Sequence, residues 1–178
     1  MKKRVSNPAL KPLSGRFQKL NHPGVYRNSK RVYAKVYNDL SNSRNIRFNT
    51  IRQALARAVF FNELRKQGVF HPDSRFIVSK DRRGKPTVVA LMPELTPARW
   101  PAERLNKRFV AMVRDVFGKH LLSKEIPGEH GDLLYQFNYG KSRSGRKRVY
   151  YRDLHVIEST PSKAVLQWYR LRKASQKG

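Results

Sequence analysis

The sequence lacks cysteine and has no long apolar run. Without cysteine, disulfides and thiolate metal ligands are excluded. No stretch reaches the roughly 18 apolar residues that a membrane-spanning helix needs. The basic N-terminus also lacks the apolar core of a signal peptide. We therefore expect a cytoplasmic protein with no membrane span.

Acidic residues are scarce, because 12 Asp and Glu stand against 39 Lys and Arg and leave a formal net charge of +27. Ten basic residues precede the first acid, Asp39. Such an excess attracts RNA, DNA or an acidic protein surface. Alternatively, the charge only keeps the protein soluble. Basic residues recur at 141–152 and 163–177, so we expect a broadly positive surface rather than one basic arm.

For the first half of the chain, the sequence predicts a basic arm over residues 1–17. It predicts a small antiparallel sheet with one helix over residues 18–93. Residues 23–28 resemble a turn between two strands, and residues 31–37 alternate as a strand should, with Lys35 on the face of Tyr33 and Tyr37. A helix is expected from Ile51 to about Gly68, followed by strands at 75–79 and 87–92. Its expected apolar stripe consists of Ile51, Leu55, Ala58 and Val59.

The second half, residues 94–178, is expected to be mostly helical. Residues 93–97 form a stiff, Pro-rich connector that would serve as a hinge, and a long amphipathic helix starts at Pro101. A hairpin follows, and then a last helix with Pro161 in its first turn and Ser159 or Thr160 as its N-cap. The expected apolar side of the last helix is Ala164, Val165, Trp168 and Leu171.

Two acids flank the predicted hairpin. Asp132 lies in the run His130-Gly131-Asp132-Leu133, Asn138 follows it, and Asp153 stands near the end of the second strand. Phosphoryl transfer needs one carboxylate to orient the attacking hydroxyl, and a second with an amide oxygen to hold Mg²⁺. The alternative is that both aspartates only satisfy turns and helix caps.

This order resembles that of a protein kinase reduced to its essentials, and in particular the YrbL-like family of small bacterial kinase-fold proteins. The resemblance is carried by Val32-Tyr33-Ala34-Lys35, by Leu91-Met92-Pro93-Glu94-Leu95, by the H-x-D-L run and by Glu158-Ser159-Thr160 ahead of a basic helix containing Trp168. It implies an α+β, minimal two-lobed kinase-like fold, with an N-lobe over 18–93 and a truncated C-lobe over 94–178.

The resemblance also implies ATP and Mg²⁺ as cofactors. Lys35 would orient the phosphates and Asp132 the acceptor hydroxyl, as the catalytic pair. Asp153 and Asn138 would hold the metal. The cofactor-binding residues would be Lys35, Gly24 in the phosphate turn, and Met92 and Glu94 at the adenine hinge. The implied function is transfer of the ATP γ-phosphate to a protein hydroxyl.

The chain departs from the kinase pattern at several places. Gly24 is the only glycine in the phosphate turn, and Phe137 takes the place where the metal-binding asparagine is expected, one position before Asn138. Leu154 follows Asp153 where kinases have phenylalanine. The helix position that should pair with Lys35 is either Arg57 or Glu63. Only Glu63 could form that ion pair.

A second hypothesis is a non-catalytic, strongly basic protein that binds nucleic acid or a ribonucleoprotein, on a pseudokinase scaffold. The basic turn at 141–148, with Tyr150 and Tyr151 nearby, could contact RNA through phosphates and stacking, or could simply be a solvated hairpin tip. The histidines show no metal-ligand spacing, so no structural zinc site is expected. Under the kinase hypothesis, an acidic protein substrate would suit the positive surface.

Overall fold

The computed structural model describes residues 7–13, 15–40, 47–97, 108, 111–112, 115–116, 139–141, 149–151 and 162–176. Helices and strands are mixed, as expected for an α+β protein. The helices are α1 (Ile51–Lys66) and α2 (Ser162–Ser175). The strands are β1 (Phe17–Lys19), β2 (Val25–Asn28), β3 (Val32–Val36), β4 (Arg75–Lys80), β5 (Pro86–Pro93), β6 (Thr96–Pro97), β7 (Tyr139–Lys141) and β8 (Val149–Tyr151). Within these ranges, no helix has the length and apolar character to cross a membrane.

Five strands form one antiparallel sheet in the order β1-β2-β3-β5-β4. Three strands precede α1, not two, because the predicted turn at 23–28 contains β2. The chain instead reverses just before it, where the Val25 amide donates to the His22 carbonyl at 3.2 Å. The reason is burial: Tyr26 is only 1% exposed, and pairing opposite Ala34 places its ring in the core.

Each face of this sheet is covered by a different part of the chain. Helix α1 packs on the face that carries Phe76, Ala90 and Met92. The opposite face, with Tyr26 and Val36, is covered by a short 3₁₀ turn, Pro8–Leu10. The described part of the predicted N-terminal arm is therefore packed on the sheet.

Helix α1 begins where the sequence predicts, since Thr50 and Gln53 form a reciprocal capping box. Half of the predicted stripe is confirmed, because Ala58 is buried and Val59 packs against the core. The other half is wrong, because Ile51 and Leu55 are 65% and 40% exposed. The buried side chains are Ala54, Ala56, Arg57, Ala58, Phe60, Phe61 and Leu64. The helix is covered on two sides, by the sheet and by α2, so its buried surface is wider than a single stripe.

Helix α2 packs against α1 through Val165, Trp168 and Tyr169, all buried. Two of these, Val165 and Trp168, were predicted, but the predicted Leu171 is 55% exposed. The described residues of the predicted helix after Pro101 are helical, and Met112 and Val116 pack against the same core.

The predicted hairpin near the end of the chain is present. Strands β7 and β8 pair antiparallel with Tyr139 opposite Tyr151, and β6 adds a third strand. Antiparallel pairing brings the start of β7 next to the end of β8.

Candidate nucleotide site

Lys35 lies on the central strand β3, on the sheet face that α1 covers. The register places Lys35 opposite Ala90, and Ala90 opposite Phe76, so all three share one face. Phe76 in turn contacts Phe61 of α1, with ring centroids 5.1 Å apart. Lys35 is half-buried. It therefore lies on the sheet face that packs against α1, with part of its side chain exposed.

The two helix positions that could have faced Lys35 behave differently. Arg57 is fully buried, and its guanidinium carbon lies 5.8 Å from the centroid of the Phe61 ring. Glu63 instead pairs with Arg172 of α2 at 3.0 Å and with Lys66 at 2.8 Å. Six residues along an α-helix rotate the side chain by about 600°, so the two positions lie on different faces. The Glu63 carboxylate thus connects the two helices.

The pKa of Glu63 reflects these contacts. Partial burial acts to raise the pKa, because it removes water from the charged form. Hydrogen bonds from Lys66 and Arg172, together with their positive charges, outweigh burial and hold the pKa below its ordinary value. Glu63 is therefore ionised at neutral pH and held in its ion pairs.

Gly24 stands in the turn between β1 and β2 with φ of 72°. Its carbonyl accepts from the Val36 amide at 2.8 Å. A Cβ here would lie 2.8 Å from the Asp39 carbonyl carbon and 2.9 Å from the Leu40 nitrogen. The turn is thus pressed against the 3₁₀ turn Tyr37–Asp39 that follows β3. Its only glycine is required both for its φ angle and for this close packing.

The predicted hinge residues Met92 and Glu94 both make contacts within the protein. Met92 is 5% exposed and belongs to the core under α1. The Glu94 carboxylate accepts from Arg27 at 2.9 Å and from the Tyr33 hydroxyl at 3.2 Å, and its backbone amide donates to the Arg31 carbonyl at 3.0 Å. An adenine could use that amide only after the bond to Arg31 breaks.

Asp132, Asn138 and Asp153 lie outside the described residues. The hairpin between them is described: Asn138 directly precedes β7, and Asp153 follows β8 by two positions. Among the residues that the structure does describe, no three His, Asp or Glu side chains converge as metal ligands. The magnesium ligands therefore stay a prediction from the sequence.

A cavity of about 400 Å³ opens beside Gly24, and the sequence predictions did not include it. Its cationic lining residues are Lys19, Arg47, Arg82, Arg83 and Lys85. The one local signal was the basic turn Asp81-Arg82-Arg83-Gly84-Lys85. The other cations come from distant parts of the chain, so no sequence window could have grouped them.

Comparison of the chain with protein-family models, with curated proteins and with solved structures finds no match. The likeness to the YrbL-like family therefore rests on the sequence motifs alone.

Proposed function

We propose that the protein is a minimal kinase-like phosphotransferase that moves the γ-phosphate of ATP to a protein hydroxyl. The observation that carries this proposal is the position of Lys35. It is a half-buried lysine on the central strand of a five-stranded antiparallel sheet, on the face that packs against α1. In protein kinases, too, the lysine that contacts the phosphates stands on the third strand of the N-lobe sheet.

In this proposal the residues have the roles that the kinase resemblance implies. Lys35 contacts the phosphates, and Asp132 accepts the proton of the acceptor hydroxyl or orients it. Asp153 and Asn138 hold Mg²⁺, which supplies charge neutralisation at the phosphates. The paired ends of β7 and β8 support this assignment, because the sequence joins Asn138 to one end and Asp153 to the other.

The geometry of the N-terminal half favours slow catalysis. The acid best suited to hold Lys35, Glu63, is engaged with Arg172, and the turn at Gly24 is pressed against Asp39 and Leu40. Both contacts would have to change for the phosphates to be held as they are in an efficient kinase. An acidic protein is the acceptor that the net charge of +27 favours.

The test is thermal melting of nucleic-acid-free protein with ATP, with and without Mg²⁺. A ligand that binds only the folded state adds about 2.7 kcal/mol at a hundredfold excess over Kd, or about 5 to 10 °C for a chain of this size. Lys35→Met should lose this rise. Lys30→Ala removes an exposed lysine from the turn between β2 and β3 and should keep it. Equal rises in both variants, or none at millimolar Mg-ATP, would refute the proposal.

A further inference from the structure

The cavity beside Gly24 is built by four separate segments of the chain. They are the end of β1 with the β1–β2 turn, the 3₁₀ turn after β3, residues 47–49 before α1, and the β4–β5 turn. Its volume of about 400 Å³ lies within the range of ligand-binding pockets. The lining includes Tyr26, whose side chain points to the sheet face opposite Lys35, because Tyr26 pairs with Ala34. Lys35 does not line the cavity, although Gly24, the glycine of the predicted phosphate turn, does.

Five cationic side chains reach this cavity and all are exposed: Lys19, Arg47, Arg82, Arg83 and Lys85. Arg82 donates to the Tyr26 hydroxyl at 3.2 Å and lies 4.0 Å from the Asp39 carboxylate. Among the described residues, no carboxylate lies within ion-pair distance of the other four. Their charge is therefore available to a ligand.

The two carboxylates of the lining are used in building its walls. Asp81 is 6% exposed and accepts from the Arg83 amide at 2.8 Å and the Lys85 amide at 2.9 Å. Its second oxygen accepts from the Asn38 side chain at 2.8 Å. Asp81 thus shapes the turn that presents the two arginines, and the hydrogen bonds it accepts reduce its power to attract a cation.

Asp39 has a similar structural role. It accepts a hydrogen bond of 2.7 Å from Asn7, whose side chain also donates to the Tyr26 hydroxyl at 2.8 Å. Asn7 is 2% exposed, so this network is internal. It holds the N-terminal segment against Tyr26 and Asp39, which both line the cavity. The five cations outnumber the two carboxylates, so the lining keeps a positive formal charge.

The aromatic residues of the lining indicate which part of a ligand is recognised. Tyr26 and Phe48 are 1% and 0% exposed, so neither presents a ring face on which a base could stack. The accessible groups are guanidinium and ammonium ions. These bind phosphate oxygens, and the planar arginine fork does so with two hydrogen bonds.

We propose that this cavity binds the phosphodiester backbone of nucleic acid, without reading its sequence. A free nucleotide would need a place for its base, which the buried rings do not offer. An acidic peptide carries its charges on flexible side chains, whose ordering costs about 0.5 to 1.5 kcal/mol each, whereas the charge of a nucleic acid is part of its backbone. The net charge of +27 favours a polymer that continues beyond the cavity.

The experiment measures binding of labelled oligouridylate and oligothymidylate to the full chain by fluorescence anisotropy over a range of salt concentrations. The double variant Arg82→Gln/Arg83→Gln removes two cavity charges. The control Arg75→Gln/Arg170→Gln removes two exposed charges that do not line the cavity. Each phosphate contact to a single strand contributes about 0.7 to the slope of log K against log salt, so losing two should weaken binding about 25-fold at ~0.1 M salt.

The proposal predicts this loss for the cavity variant, for both oligonucleotides, with the control close to wild type. Equal losses in the two double variants would overturn it in favour of diffuse surface charge. Competition by polyglutamate as strong as by unlabelled oligonucleotide would identify an acidic protein as the partner, and competition by ATP at its own Kd would identify a nucleotide site. Should the cavity variant melt early, Arg47→Gln/Lys85→Gln replaces it.

The two proposals can fail separately. Lys35→Met should retain oligonucleotide binding, because Lys35 is not among the residues that line the cavity. Conversely, Arg82→Gln/Arg83→Gln should retain the Mg²⁺-dependent rise with ATP. Loss of both activities in both variants would contradict the assignment of two sites.

Discussion

Phe60 of α1 and Trp168 of α2 meet edge to face, with ring centroids 5.3 Å apart and planes at 71°. The Trp168 indole N–H also donates to the Val116 carbonyl at 2.9 Å. One side chain thus joins the last helix to α1 and to the helical residues near 116. Because α1 carries the surface facing Lys35, this contact also stabilises the arrangement of the candidate nucleotide site.

Removing the Trp168 ring should therefore destabilise the whole domain. Trp168→Ala should lower the free energy of unfolding by about 3 to 5 kcal/mol, the usual cost of deleting a large buried aromatic residue. Trp168→Phe keeps most of the ring and loses the hydrogen bond, so it should cost about 1 to 3 kcal/mol. Leu171→Ala, at an exposed position of the same helix, is the control. Urea denaturation measures all three.

The pair of Glu63 and Arg172 should be coupled in stability but not in ATP binding. Because both side chains are partly exposed, a double-mutant cycle of Glu63→Gln and Arg172→Gln should give about 0.5 to 1 kcal/mol. Glu63→Gln should also keep the Mg²⁺-dependent rise in melting temperature, since its carboxylate is not the partner of Lys35. Loss of that rise would show that Glu63 moves to Lys35 when ATP binds.

Gly24 and Gly84 form a natural matched pair, with φ of 72° and 73°. An added Cβ at Gly84 meets nothing within 4 Å, whereas at Gly24 it would lie 2.8 Å from backbone. Gly84→Ala should lower the free energy of unfolding by about 1 to 2 kcal/mol, which is the cost of holding an alanine in the left-handed conformation. Gly24→Ala should lower the free energy of unfolding by clearly more, because its Cβ would also clash with backbone atoms. Equal costs measured by chemical denaturation would mean that the β1–β2 turn moves away from Asp39 freely.

His71 should make stability depend on pH near neutrality. Burial lowers its pKa, and the nearby Asp73 carboxylate opposes this only in part. The imidazole Nδ1 accepts from the Asp73 amide at 3.2 Å, a bond that protonation there would remove. The unfolded chain therefore binds this proton more readily than the folded chain. The contribution of neutral His71 to the free energy of unfolding should be fully present above about pH 6.5 and should decline as the pH falls below that value.

The measurement is melting temperature from pH 7.5 down to the point where carboxylates begin to titrate. His71→Gln should flatten the decline. His22→Gln, at an exposed turn residue, should leave it unchanged. A wild-type profile in His71→Gln would assign the pH dependence to other groups.

The predicted metal ligand gives the most direct test of phosphoryl transfer. Asp153→Asn should reduce ATP-dependent phosphorylation by more than about a hundredfold, which is the upper end of what losing only an outer-shell partner of a metal costs. The control Asp115→Asn makes the same change in charge at an exposed helical position. It should retain activity. The readout is radiolabelled phosphate transfer, with circular dichroism confirming that both variants fold.

The strand around Lys35 and the start of α1 could be predicted from the sequence because their signals are local. Alternation over residues 31–37 is a property of neighbouring residues, and so is a capping box between Thr50 and Gln53. The strand β2 was missed because its signal is one buried ring, that of Tyr26, inside a segment rich in turn residues. Leu171 was assigned to the core because the pattern of one helix does not show how far its neighbour extends.

The sequence by itself determined most of the elements, though not β2 or β6, and it placed Lys35 on a strand, because the period of a strand sets which side chains share a face. Tertiary structure decided what covers that face, which gives Arg57 a buried position and Glu63 a partner on α2. It also created the basic cavity, whose cations lie up to 66 positions apart, from Lys19 to Lys85. Residues so far apart in the sequence come together only through strand pairing and packing, which no local sequence pattern specifies.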